Sequence, residues 1–254
     1  VQRRSGETGK LFPTNQKEKL DVYSIYDTGD SFWLATDAGF FMMKNQAITP
    51  HPLHHKYEKL FRRGLPKLVM GSNRGLWFST DGLGLCRILN GEISILSTSD
   101  GLRDGHVYSM LEDREGSFWF GTLQGGLHRL SNIRFTNFTM REGLTNSVIR
   151  NIHQTRDGTL WFATRSGLNR LLPGARKPEL AFRAIKKLGK NAVHAVLSDR
   201  KGYLWIAPDS GLCRYKNRIL ETFSPADGLW DNYVYDIFQA RNGDLWFCTK
   251  KGLN

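Results

Sequence analysis

Three cysteines, at positions 86, 213 and 248, are an odd number, and no Cys-x-x-Cys pair is among them. That excludes a disulfide framework and a cysteine-built zinc site, and it leaves the compartment undetermined. No apolar run approaches the 18 or so residues that a membrane helix needs. No stretch is long and periodic enough to read as a helix, although 181–190 is ambiguous. The start, VQRRSGETGK, has neither Met nor an apolar leader segment, and the end, WFCTKKGLN, stops inside a pattern. Both ends are read as those of an excerpt from a longer protein.

Acidic residues are also scarce. Twenty-four Asp and Glu stand against 36 Lys and Arg, a net charge of +12 over 254 residues. Such a balance favours polyanionic partners: nucleic acid, anionic lipid or acidic saccharides. The basic residues are scattered, with no cluster denser than FRR or AIKKLGK. A nucleic-acid groove needs a denser stripe, so direct nucleic-acid binding is not expected.

What the chain has is aromatic residues in a fixed order. Trp recurs at 33, 77, 119, 161, 205 and 246, at spacings of 44, 42, 42, 44 and 41 residues. One position on is always large and apolar: Leu34, Phe78, Phe120, Phe162, Ile206, Phe247. Two positions on is always small: Ala35, Ser79, Gly121, Ala163, Ala207, Cys248. Three on is Thr, replaced once by Pro208. A Gly follows at 39, 84, 126, 167, 211 and 252, usually with Leu after it. Self-similarity at such a period marks an array of supersecondary units.

Each unit reads as four strands. In 107–138, VYSMLED is a strand, DREG a tight turn, SFWFGT a second strand, LHRL a third and RFTNFT a fourth. The turn recurs as TRDG (155–158), DRKG (199–202) and ARNG (240–243). Four-stranded meanders repeated in this way predict an all-β fold, a β-propeller of antiparallel blades spanning 1–254 as one domain. Alternate residues of SFWFGT face opposite sides and both sides are apolar, as a strand sandwiched between neighbouring blades requires. Trp fills the gap to the next blade, and the small residue on its face lets backbones approach. Six Trp strands mean about six blades. A leading strand near Leu11–Phe12 that paired with the last unit would close a six-bladed ring, but a fragment of a seven-bladed ring is the preferred reading.

The segments 100–130, 142–171 and 227–254 closely resemble the two-component regulator propeller repeat. The Gly-Leu step, the Asp/Gly turn, the Leu-Trp-Phe-x-Thr strand and the Gly-Leu-x-Arg strand all match. The resemblance implies a periplasmic sensor module of bacterial hybrid two-component systems or sensor diguanylate cyclases. It implies a non-catalytic binding domain whose ligands are often oligosaccharides. It also implies a full-length receptor that is a homodimer and meets the membrane only through segments outside this chain. The unit at Trp77 is eroded, and the unit at Trp205 has KKLGKNAVHAV in place of the Gly-Leu step.

Function in such scaffolds sits on loops. The crossings between units and the loops between second and third strands share one end of a meander. They supply the candidate ligand-binding residues: Arg103, Asp104, His106, Asn146, Trp230, Asp231 and Asn232 from the crossings, with Arg165, Asp209 and Lys250 from the inner loops. Asp37, Asp81 and Gln124 hold equivalent inner-loop places. Trp230 is the only Trp outside the repeat column. It could stack on a sugar or cover a neighbouring blade edge. The recurrent Arg87, Arg129, Arg170 and Arg214 point to structural pairing or surface exposure. HPLHH (51–55) reads as a solvated loop. Cys86 and Cys213 hold equivalent columns about three units apart, too far for a disulfide. No Ser/His/Asp, Cys/His or metal-ligating set can be assembled, so no catalytic residue, metal or cofactor is expected. A protein-interaction scaffold, or a propeller lyase or hydrolase, remains the alternative.

Overall fold

A computed structural model of the chain describes residues 22–28, 30–36, 39–45, 47–50, 68–70, 75–80, 82–90, 92–131, 134–181, 191–240 and 242–254. The expected strand at Leu11–Phe12, the HPLHH segment, Asp37, Asp81 and most of 181–190 lie outside them. The described residues hold 23 strands in six sheets, each a simple antiparallel meander in chain order. The chain divides into two compact units, Val1–Val107 and Tyr108–Asn254.

The first unit holds β1 (Val22–Asp27), β2 (Phe32–Thr36), β3 (Gly39–Lys44) and β4 (Ala47–Pro50), then β5 (Leu68–Met70), β6 (Leu76–Thr80), β7 (Gly84–Leu89) and β8 (Glu92–Leu96). Between its two sheets lie Ala35, Phe40, Phe78, Cys86 and Ile88, with Trp33 packed against them. The Phe40 and Phe78 rings meet edge to face at 5.2 Å. The eroded unit at Trp77 keeps all four strands, with β5 described over Leu68–Met70.

The second unit begins within β9 (Val107–Glu112), which is followed by β10 (Phe118–Thr122), β11 (Leu127–Ser131) and β12 (Arg134–Phe138). The next sheet is β13 (Ile149–Gln154), β14 (Leu160–Thr164), β15 (Gly167–Leu171) and the two-residue β16 (Glu179–Leu180). A third is β17 (Val193–Ser198), β18 (Leu204–Pro208), β19 (Leu212–Lys216) and β20 (Ile219–Phe223). The last sheet has three described strands, β21 (Val234–Gln239), β22 (Leu245–Thr249) and β23 (Gly252–Leu253). These sheets are the blades of a β-propeller, stacked face to face within the unit.

Stacking buries the Trp strands. Every residue of β10, β14 and β18 is buried. Trp119 packs with Phe138 of its own sheet and with Ile149, Ile152 and Phe162 of the next. Its ring lies 5.8 Å from that of Phe162. Trp205 likewise reaches Phe247 at 5.3 Å. The small residue keeps the predicted role: a Cβ on Gly121 would stand 2.6 Å from Ile149 Cβ and Cγ2. Trp246 departs from the pattern. It is only half-buried, and Cys248 two residues on is exposed.

The remaining columns prove to be turn hardware. The hydroxyls of Thr36, Thr122, Thr164 and Thr249 donate to the carbonyls of Gly39, Gly126, Gly167 and Gly252 at 2.7–2.9 Å. Each closes the loop from the second strand to the third. Gly126 takes φ of 85°, and a Cβ there would lie 2.4 Å from the Phe138 carbonyl, so glycine is required twice over. The Gly-Leu step ends a short 3-10 turn with a capping box: Ser97 with Asp100, Thr139 with Glu142, Ser224 with Asp227. The Leu that follows, at 102, 144 and 229, is buried.

Candidate functional site

In the last three sheets of the second unit, the residue after the second strand is pinned to the residue before the first strand. The N–H of Arg165 donates to the Val148 carbonyl at 3.3 Å, that of Asp209 to Ala192 at 3.1 Å and that of Lys250 to Tyr233 at 3.0 Å. Inner-loop and crossing residues therefore lie at the same end of the meanders, as the sequence predicted. Just inside that end is the second residue of each innermost strand: Tyr108, Arg150, His194 and Tyr235.

Three of those four enter one cluster. His194 is 8% exposed, yet its Nε2 stands 2.7 Å from Asp209 Oδ1. Arg150 Nη1 lies 2.7 Å from His194 Nδ1 and 3.1 Å from Nε2, so the guanidinium sits across the imidazole. The Tyr233 ring is 4.6 Å from the His194 ring and that of Tyr235 is 6.1 Å away, while the two tyrosine rings stand 5.6 Å apart. Burial holds the His194 pKa below the usual imidazole value; the Asp209 hydrogen bond pulls it up, and the Arg150 charge pushes it down. A neutral ring follows, with Nε2–H donating to Asp209.

The crossing candidates do backbone work. Oδ1 of Asp104, Asn146 and Asp231 accepts the N–H two residues on, from His106, Val148 and Tyr233, at 3.0, 2.9 and 2.8 Å. These are Asx turns that set the path into each innermost strand. Asp104 Oδ1 also meets His106 Nδ1 at 2.8 Å, and Asn146 Nδ2 donates to Ser166 Oγ at 3.0 Å. Arg103, Asn232, Arg165 and Lys250 are exposed. Trp230 is 47% exposed and its six-membered ring rests on Gly252, where a Cβ would come within 2.9 Å. One side covers its own sheet and the other is open.

Sequence reasoning placed Asp209 here but passed over Arg150, His194, Tyr233 and Tyr235. Arg150, His194 and Tyr235 sit in strands rather than loops, in a repeat column that does not hold one residue type, the one signal that was available; Tyr233 stands directly before β21. The recurrent arginines lie elsewhere: Arg129, Arg87 and Arg214 pair in register with Trp119, Trp77 and Trp205 and stack on them at 5.3–5.5 Å. Arg170 pairs with Glu179 at 2.7 Å. Their recurrence is structural, as expected.

Among the described residues no group of three or more His, Cys, Asp or Glu is placed to hold a metal. Burial pushes the Cys86 thiol up to about 12 and that of Cys213 to about 11, so neither is a thiolate at neutral pH.

The two-component regulator propeller family model matches residues 101–124, 143–166 and 228–251, around Trp119, Trp161 and Trp246. Three of the six Trp-marked segments thus match the two-component regulator propeller repeat. No curated protein matches. Among solved structures, the extracellular domain of a hybrid two-component system from B. thetaiotaomicron aligns at TM-score 0.62 and 21% identity, over 94% of this chain and 39% of that one. Virginiamycin B lyase from Staphylococcus aureus aligns at 0.65 and 18%, over 91% and 78%. PorZ, a surface component of the type-IX secretion system of Porphyromonas gingivalis, aligns at 0.68 and 15%, over 92% and 38%. At these identities the likeness is one of fold. The chain spans well under half the length of that two-component extracellular domain.

Proposed function

We propose that this propeller is the ligand-sensing part of an extracytoplasmic bacterial signal-transduction receptor and that it binds without catalysing. The repeats themselves and the fold shared with a two-component extracellular domain support this reading. The observation that carries it is the joining of three blades, through Arg150, His194, Asp209, Tyr233 and Tyr235, at the loop-rich end. A ligand spanning these residues touches several blades at once. It therefore shifts whatever two arrangements the receptor adopts in proportion to its difference in affinity for them. Exposed tyrosines and the open side of Trp230 suit an oligosaccharide, whose sugar faces stack on aromatic rings.

Glycan-array screening of the chain, followed by calorimetry and a product assay, tests this. Saccharide binding with no turnover is expected, weakened about tenfold in Trp230→Ala at unchanged melting temperature. No binding to any glycan overturns it. The second reading is a lyase, favoured by the buried His194–Asp209 pair and by the fold shared with virginiamycin B lyase. Turnover of quinupristin, the compound bound to the inactive form of that enzyme, would replace sensing by catalysis.

A further inference from the structure

Charge at the same end of the second unit is lopsided. Arg150 is half-buried, and one Nη1 on the His194 ring is its sole hydrogen-bonding contact among the described residues. Its Nη2 and Nε donors meet no carboxylate of the described residues. The side chains of Arg165 and Lys250 make no ion pair with described residues either, although their backbones are fastened to the start of the innermost strands. The carboxylates nearby are committed elsewhere. Asp209 is taken up by His194, and Asp231 caps the Tyr233 N–H with Lys251 3.7 Å away. A guanidinium drawn partly out of water with one edge unused is a ready bidentate partner for a carboxylate. Beside it, Tyr233 and Tyr235 are 36% and 51% exposed, and their rings present a face to a flat ligand.

Resting on the sensing role above, we infer that the mouth formed by Arg150, Arg165, Lys250, Tyr233 and Tyr235 takes an acidic saccharide. The uronate carboxylate lies on the free edge of Arg150, and the sugar ring lies over the tyrosines. The chemistry asks for charge and ring together. A small anion satisfies the cations but leaves the tyrosines in water, and a neutral sugar does the reverse. Burial and the Arg150 charge keep His194 neutral, while Asp209 fixes the ring by accepting its Nε2–H, so the guanidinium's perch stays in place without a competing cation.

Calorimetry with digalacturonate, digalactose and citrate tests the inference on the chain as it stands. Digalacturonate is expected to bind at least about tenfold more tightly than either of the others. Arg150→Gln should abolish that preference while leaving the weak digalactose binding in place, and Tyr235→Ala should weaken both sugars. Should Arg150→Gln fail to fold, the double variant Arg165→Gln/Lys250→Gln alters two exposed side chains and should still lower digalacturonate affinity severalfold. Equal affinity for digalacturonate and digalactose, or for digalacturonate and citrate, overturns the acidic-saccharide assignment and leaves sensing standing. Binding of none of the three, with a glycan array also silent, overturns both.

Discussion

His153 makes stability depend on pH, and the size of the effect follows from its place between two blades. On β13, its Nε2 accepts the N–H of Ser198 on β17 at 2.9 Å, with Ser198 Oγ 2.8 Å from the same nitrogen. A backbone N–H can only donate, so the bond exists only while Nε2 is unprotonated. Burial, helped by the Arg114 charge, pushes the pKa from the usual 6.5 down to about 4. Above pH 7 the ring is neutral both folded and unfolded and costs nothing. Below 6.5 the unfolded chain takes up the proton while the folded protein refuses it, so stability falls with pH until the folded value is reached. At 1.36 kcal/mol per pKa unit, the loss from this residue between pH 7.5 and pH 5 is about 2 kcal/mol. Urea unfolding of the wild type and of His153→Gln, at both pH values, isolates it. Gln keeps an acceptor near the Nε2 position and has no proton to gain. His194, whose pKa is lowered in the same direction, contributes equally to both proteins and cancels. The wild type should lose about 2 kcal/mol more than the variant on acidification. Equal losses would refute the account of His153 as a neutral inter-blade acceptor.

Three further outcomes are expected from the packing. Trp119→Ala should cost about 3–5 kcal/mol by urea unfolding, since the indole is 1% exposed between two sheets. Gly121→Ala should destabilise by about 1–3 kcal/mol, because the new methyl meets Ile149 at 2.6 Å and Ser109 Oγ at 2.2 Å; an unchanged midpoint would mean the blades part easily. Asp199→Ala should cost about 1–3 kcal/mol, because it leaves the buried Trp205 Nε1–H and the Tyr203 N–H without the carboxylate they share at 2.9 and 2.8 Å. The same substitution at exposed Asp244 should fall within about 0.5 kcal/mol of wild type.

The Trp column was legible because burial on both faces of one strand leaves a pattern that period-two alternation cannot produce. Six copies of it outweigh the erosion at Trp77 and the missing Gly-Leu step before Trp205. Less legible was the reason the turn begins with Asp. Asp113 looks like an ordinary turn former, yet its Oδ1 takes the Ser117 N–H at 2.7 Å while its Oδ2 takes the Trp119 indole at 2.6 Å. One carboxylate thus ties the turn to the packing residue six positions on. The equivalent turn before Trp161 substitutes Thr155, whose Oγ1 accepts that indole at 3.3 Å, so the job survives a change of residue and escapes a search by identity.

The candidate site escaped for the opposite reason. In a repeat, positions under a common packing constraint converge on one residue type, as the Trp, small-residue and Thr columns do. A position that carries Tyr108, Arg150, His194 and Tyr235 in the four successive sheets of the second unit is under no such strict constraint. Its neighbours on the strand stay uniform: Val107, Ile149, Val193 and Val234 are all buried, the last three against the blade before them. Uniform and varied positions therefore alternate along one strand. The uniform face belongs to the fold, and the varied face is where chemistry can differ from blade to blade. Charge and aromatic residues have gathered on that varied face of β13, β17 and β21, and they stand in contact across three blades. Blade packing accounts for the buried column but gives no reason for a guanidinium, an imidazole and a phenol to replace one another in its neighbour. A ligand that meets each blade differently does.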